Sequence, residues 1–163
     1  MKKTRTLVIT SLLIAITVIL ARFLSIKTDI VRISLEFLPI VLSSVLFGPI
    51  IGGITGALAD VIGIALFPSG TFFPGFTISA FLTGIIYGLF LYKKEITIVR
   101  TIITVLIKVF IIDLVLVTTW LMILYKLPLE ALMVARLIKC GIIVPVEILL
   151  IYFVVRPIKK VYN

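Results

Sequence analysis

Long apolar runs dominate this sequence and restrict the chain to folds that can bury them in a lipid bilayer. Hydrophobic residues make up 62% of the 163 residues and charged residues only 14%, which is more apolar surface than a soluble domain of this size can cover. The first run, Leu7 to Leu24, is long for a signal-peptide core and lacks a small-residue cleavage site, so we expect it to remain as a helix. These features predict an all-α integral membrane protein.

The breaks between the apolar runs predict six transmembrane helices in a single membrane domain. The second run, Phe37 to Phe47, stops at Gly48-Pro49 and would cross only about half of a bilayer core, so we predict one short or kinked second helix. Lysine and arginine are concentrated before the first run and after the fourth and sixth, which places both termini in the cytoplasm. The predicted spans cover about residues 7–25, 35–47, 50–67, 76–92, 98–125 and 129–155.

Composition also argues against several classes of function. The net charge of +9 comes from residues that flank apolar runs, so it reflects membrane orientation and predicts no nucleic-acid binding. The chain has no histidine and one cysteine, Cys140, which excludes a histidine–cysteine metal cluster and argues against a bound cofactor. No nucleophile elbow, Walker-type loop or paired carboxylates on one helical face are present, so no catalytic residues are assigned.

The distribution of polar groups favours binding over conduction. Polar residues concentrate in the outer half of the predicted bundle, whereas a channel needs a repeated polar or small-residue pore lining. A small oligomeric channel or structural membrane protein is the alternative. No nucleotide-binding fold is evident in the sequence, so any transport would have to be driven by another protein.

The segment from Phe67 to Phe76 is rich in turn-forming and aromatic residues and predicts a binding loop. Its prolines and glycines bend the backbone, which would present Phe72, Phe73 and Phe76 as a cluster suited to a flat ligand. The alternative is a simple connection between two membrane helices, with phenylalanine at the bilayer interface.

Five of the charged residues within predicted spans are singled out here, because each would cost about 2.5–3.5 kcal/mol at a helix centre unless paired or hydrated. They either neutralise one another or contact a ligand. Arg136 and Lys139 are three residues apart and share a helical face in the outer half of the sixth span, so they are candidate partners for a ligand carboxylate. The five are Asp60, Lys108, Asp113, Arg136 and Lys139.

Small residues at four-residue spacing predict close helix contacts in two places. Ser11 and Ala15 share a face near the cytoplasmic end of the first span and leave a shallow groove for another helix. In the third span, Gly52 and Gly56 belong to a small-residue stripe that we assign to packing within the bundle.

Several of these segments together resemble a known transporter family. The run Phe73-Pro74-Gly75-Phe76-Thr77 with Ile85-Ile86-Tyr87-Gly88, and the run from Arg32 to Pro39 before Phe47-Gly48-Pro49, are similar to the folate-specific S components of energy-coupling factor (ECF) vitamin transporters. The resemblance covers nearly the whole chain. It implies a multi-pass bacterial plasma-membrane protein that captures folate outside and delivers it by toppling within a complex of a transmembrane coupling subunit and two ATPases.

The resemblance also implies roles for individual residues. Members of the family show Ala-x-x-x-Ala in the first span for docking to the coupling subunit; Ser11 and Ala15 match those positions, with serine as a departure. Folate carries a pterin, a second aromatic ring and a glutamate tail with two carboxylates. Another flat vitamin, such as riboflavin, is the alternative ligand. Phe72, Phe73, Phe76 and Trp120 are the stacking candidates, Glu36 or Asp113 the acceptor for the pterin amino edge, and Arg32, Arg136 or Lys139 the carboxylate partner.

Overall fold

The computed structural model describes residues 2–27, 32–68 and 72–162. Within these ranges the chain forms six helices and one antiparallel hairpin, so the predicted all-α membrane fold with a short second helix is confirmed. The strands are β1 (Ser25–Lys27) and β2 (Arg32–Ser34). The helices are α1 (Lys2–Arg22), α2 (Phe37–Phe47), α3 (Pro49–Leu66), α4 (Pro74–Leu91), α5 (Ile98–Tyr125) and α6 (Leu129–Tyr162).

Five of the helices in the described ranges, all except α2, are long and apolar enough to cross a membrane. Leu7, Phe110 and Phe153 are 68%, 65% and 67% exposed on the outside of the bundle, as expected for a surface that faces lipid tails. The 11-residue α2 ends at Gly48, whose φ of 104° costs glycine little, and Pro49 then begins α3.

The last helix continues beyond residue 155, where the sequence suggested that it would stop before Arg156-Pro157. A π-helical stretch, Ile151–Val155, leads into a final α-helical segment that ends at Tyr162. Pro157 lies two residues after the π-helical stretch, and such local π adjustments re-satisfy the backbone groups that a proline leaves without a partner in a membrane helix. The helix can therefore pass through this proline.

Glycines allow α3 and α4 to pack closely along most of their length. A Cβ at Gly84 would collide with the backbone of Gly52, and one at Gly56 would lie 2.5 Å from the carbonyl oxygen of Ala80. The predicted packing role of Gly52 and Gly56 is therefore confirmed. These contacts fix the position of α4, which carries the side chains of the candidate site.

The main apolar core lies between α2, α4, α5 and α6. Polar contacts join the helices at one end of the bundle. Lys159 donates to the carbonyl oxygens of Leu91 at 2.8 Å and Lys94 at 2.6 Å, just beyond α4. The guanidinium of Arg5 lies 4.9 Å from the ring centroid of Tyr162. The start of α1, the end of α4 and the end of α6 thus meet at the same end of the bundle.

Candidate functional site

Three aromatic rings form a cluster, here called the aromatic cap: Phe73 just before α4, Phe76 on α4 and Trp120 on α5. The ring centroids of Phe73 and Phe76 are 5.9 Å apart, and those of Phe73 and Trp120 are 5.6 Å apart. Gly75 allows this contact, because a Cβ there would lie 2.7 Å from Cδ2 of Trp120. The indole N–H of Trp120 donates to Oγ of Ser79 at 3.1 Å and fixes the ring against α4. The structure therefore brings together three of the four aromatic residues selected from the sequence.

The structure describes the contacts of three other predicted site residues, Phe72, Glu36 and Arg32, in less detail. Phe72 directly precedes the cap and is 49% exposed. Glu36 is half-buried immediately before α2, and its backbone N–H donates to Oγ of Ser34 at 3.3 Å. Arg32 lies in β2, but its side chain is outside the described part of the structure.

Deeper in the bundle, charged side chains from α5 and α6 form a buried group, here called the ion cluster: Lys108, Asp113, Arg136, Lys139 and Glu147. Nζ of Lys108 lies 2.7 Å from Oε1 of Glu147 and 3.0 Å from Oδ2 of Asp113. Lys139 approaches the same aspartate at 3.6 Å, and Arg136 at 4.0 Å. Low solvent access strengthens the Coulombic attraction within these pairs, which offsets the cost of burying the charges.

Backbone and hydroxyl groups hold the ion cluster in place. Arg136 Nη1 donates to the carbonyl oxygen of Asp113 at 3.3 Å, and the hydroxyl of Thr118 donates to the same oxygen at 3.2 Å. The hydroxyl of Tyr87, on α4, donates to Oε2 of Glu147 at 3.0 Å. The cluster therefore ties α4, α5 and α6 together.

A π-helical stretch, Val109–Val117, explains why Lys108 and Asp113 meet. In an α-helix, residues five apart lie on different faces, whereas the i→i+5 hydrogen bonds of a π-helix bring them onto one face. The sequence placed both residues in the fifth span and allowed for their mutual neutralisation, but α-helical periodicity does not predict that these two side chains meet.

Glu147 is a member of the ion cluster that sequence reasoning did not select. The described contacts of the cluster do not include Asp60, the other acid predicted within the spans, whose Oδ2 accepts a hydrogen bond from the hydroxyl of Thr77 at 2.7 Å. Spacing along α6 could have indicated Glu147, because Arg136, Cys140, Ile143 and Glu147 recur with helical periodicity and form its buried face.

The described members of the ion cluster carry one more positive than negative charge: Lys108, Arg136 and Lys139 against Asp113 and Glu147. Arg136 is only 4% exposed, and its Nε has no hydrogen-bond partner among the described residues. A buried surplus cation with a free donor is suited to an anionic ligand group.

Helix α4 connects the aromatic cap to the ion cluster. Its buried face includes Ser79, which bonds Trp120 of the cap, and Tyr87, which bonds Glu147 of the cluster. Eight residues separate these two contacts, or about 12 Å along a helix. The two features therefore lie along one helix, with aromatic groups at one end and surplus positive charge at the other.

On the outside of α1, Ser11 and Ala15 are both exposed. The larger neighbours Leu7 and Leu12 are also exposed, at 68% and 60%. The small residues thus form a shallow, accessible face away from the candidate ligand site.

Comparison with known proteins shows similarity along nearly the whole chain. Two curated relatives are named folate transporter FolT. The relative from Clostridium novyi (strain NT) is 40% identical over 152 residues, which is 93% of this chain and 88% of the relative. The one from Leuconostoc mesenteroides subsp. mesenteroides is 29% identical over 159 residues, with 94% and 85% covered.

A solved structure and a family model extend the comparison. The crystal structure of FolT bound with folic acid has a TM-score of 0.88 to this chain and 41% sequence identity, covering 92% of each chain. A family model described as the ECF-type riboflavin transporter, S component, matches residues 1–160. The relatives are transport subunits, in agreement with the predicted non-catalytic role. The chain therefore belongs to the S component family of ECF-type riboflavin transporters.

Proposed function

We propose that this multi-pass plasma-membrane protein captures folate outside the cell and delivers it as the S component of an ATP-driven ECF transporter. The observation that carries the proposal is its similarity, at 41% identity over 92% of both chains, to a FolT structure that contains folic acid. The names of both curated relatives support the same ligand. Membership in an S component family argues against the small oligomeric channel.

The aromatic cap and the ion cluster together have the chemistry that folate requires. The rings of Phe73, Phe76 and Trp120 offer a stacking surface for the flat part of the vitamin. At the other end, Arg136 takes a carboxylate of the glutamate tail, with Lys139 beside it, because the described ion cluster carries surplus positive charge. Phe72 closes the rim of the cap.

Two residues near the start of α2 complete the assignment. Glu36 or Asp113 is the proposed acceptor for the pterin amino edge; three cations approach Asp113. Arg32, two residues before the end of β2, is the remaining candidate for a second carboxylate. Both residues lie at the opposite end of α2 from Phe47, which contacts Tyr162 near the chain terminus.

The proposed orientation of the protein in the membrane follows from the distribution of positive charge between the two ends of the bundle. Arg5, Lys93, Lys94 and Lys159 lie at the end of the bundle where α1 begins and α6 ends, which makes this end cytoplasmic by the positive-inside rule. The aromatic cap then faces outward, where it can meet the vitamin. The exposed face of Ser11 and Ala15 docks to the transmembrane coupling subunit, and two partner ATPases hydrolyse ATP.

Riboflavin is the second candidate ligand, because the family model carries its name. Isothermal titration of the detergent-purified protein with folic acid and with riboflavin distinguishes the two vitamins. We expect folic acid to bind at one site per chain and riboflavin to give no heat of binding. Binding of riboflavin without folic acid would overturn the assignment. Ion flux in liposomes without binding of either vitamin would indicate a channel.

A further inference from the structure

A groove at the end of α6 combines two cations with exposed aromatic surface. Tyr152, Phe153, Arg156, Pro157 and Lys160 line this groove, here called the headgroup groove, which has a volume of about 360 Å³. Arg156 and Lys160 are four residues apart in an α-helical segment and therefore share a face. The described lining contains no acidic side chain, so the groove has an uncompensated positive charge.

Contacts with neighbouring groups hold Arg156 and the backbone of the groove in place. Arg156 lies 4.6 Å from the ring centroid of Tyr152 and donates from Nη1 to the hydroxyl of the same residue. A guanidinium has five N–H donors, so donors remain for a ligand. On the other side of the helix, Lys159 is bound to the carbonyl oxygens of Leu91 and Lys94, which fixes the segment against α4.

The depth of the groove matches the polar boundary of a bilayer. Helix α6 has 34 residues, which at about 1.5 Å per residue exceeds the hydrocarbon thickness of about 30 Å. The last turns carry Arg156, Lys159 and Lys160, so they are the part of the helix that we place in the headgroup layer. Leu149, about one helical turn before Phe153, is 55% exposed, and Phe153 is 67% exposed. Together they form an apolar surface for an acyl chain.

We infer that the headgroup groove binds an anionic phospholipid of the cytoplasmic leaflet. The lipid phosphate lies between Arg156 and Lys160, and one acyl chain lies along Phe153 and Leu149. Arginine and lysine recognise phosphate through charge-assisted hydrogen bonds, and the cytoplasmic leaflet supplies anionic lipid. This site is on the outside of the bundle and is independent of the vitamin site.

Native mass spectrometry of the detergent-solubilised protein tests the inference with phosphatidylglycerol and phosphatidylcholine of the same chain length. We expect one phosphatidylglycerol to remain bound at collision energies that remove phosphatidylcholine. Lys160→Gln should weaken retention about fivefold, as expected for loss of one cation near a lipid surface. Lys3→Gln is the matched control, because it removes one exposed cation at the same end of the bundle but outside the groove.

Further variants and a soluble headgroup analogue make the result decisive. Arg156→Gln with Lys160→Gln should abolish selective retention, whereas Arg156→Lys should keep most of it; thermal unfolding of each variant verifies folding. Equal retention of both lipids by the natural protein, or equal losses in Lys160→Gln and Lys3→Gln, would overturn the inference. So would binding of soluble glycerol phosphate as tight as that of the lipid, because the acyl contact would then contribute nothing.

Discussion

Lys108 and Asp113 lie five residues apart in one helix, yet their side chains form an ion pair with a separation of 3.0 Å. The π-helical stretch Val109–Val117 makes this possible by bringing residues five apart onto one face. The same lysine contacts Glu147 of α6 at 2.7 Å. A local change of helical period is thus coupled to the contact between two membrane helices.

Removing Lys108 should destabilise the protein strongly. Lys108→Met leaves Asp113 and Glu147 without their nearest cation in a buried environment, and breaking a buried pair in this way costs about 3–5 kcal/mol. The double variant Lys108→Met, Glu147→Met should lose less than the sum of the two single losses, since fewer buried charges remain unpaired. Thermal unfolding in detergent measures these differences. Lys3→Met is the exposed control, and an equal loss there would show that the effect is not due to the ion cluster.

The aromatic cap should contribute directly to folate affinity. Phe73→Ala removes the ring that contacts both Phe76 and Trp120, and loss of a stacking ring costs about 1–3 kcal/mol, or roughly tenfold or more in Kd. Phe72→Ala should cost less, because Phe72 is half exposed beside the cap. Isothermal titration with folic acid compares the two variants. A larger loss for Phe72→Ala would place the stacking surface at the rim.

Arg136 should matter only for ligands that carry the glutamate tail. Arg136→Ala should weaken folic acid binding about tenfold or more, since it removes a charge-assisted contact, but should change the affinity for pteroic acid little. Pteroic acid retains both ring systems and lacks both carboxylates of the glutamate tail; its single carboxylate is attached directly to the benzoate ring, where folic acid has the amide. Comparing the two ligands across the natural protein and the variant gives a double-mutant cycle. Equal losses for both ligands would mean that Arg136 acts only within the ion cluster and would move the carboxylate contact to Arg32 or Lys139.

Two glycine-to-alanine substitutions should have different effects: Gly75→Ala should weaken folate binding, whereas Gly141→Ala should stabilise the protein. At Gly75 the new Cβ would lie 2.5 Å from Cε1 of Phe73 and 2.7 Å from Cδ2 of Trp120, so Gly75→Ala should displace the cap and weaken folate binding. At Gly141 no heavy atom lies within 4 Å of the new Cβ, and alanine should stabilise α6 by about 1 kcal/mol or less. Titration and thermal unfolding of both variants check this. Unchanged folate affinity in Gly75→Ala would show that the cap does not contact the ligand.

The structure also shows which features can be predicted from this sequence. The short α2 was predictable because Gly48-Pro49 interrupts the apolar run, and the glycine packing of α3 followed from small residues at four-residue spacing. The pairing of Lys108 with Asp113 was not, because it depends on a π-helical stretch that leaves no signal in an α-helical pattern. Contacts between distant segments, such as Tyr87 with Glu147, require the packed bundle.

The exposed small face of α1 should separate partner docking from vitamin binding. Ser11→Trp or Ala15→Trp places a large ring on a surface where a partner helix needs close approach, so pull-down of the coupling subunit should be lost. Folic acid affinity should stay unchanged, because both positions are exposed on the outside of α1 and away from the aromatic cap and the ion cluster. Leu106→Trp is the matched control, since Leu106 is 51% exposed on α5 and outside this face. If Ser11→Trp lowers folate affinity while the coupling subunit still binds, the face of α1 belongs to the vitamin site and the docking surface lies elsewhere on the bundle.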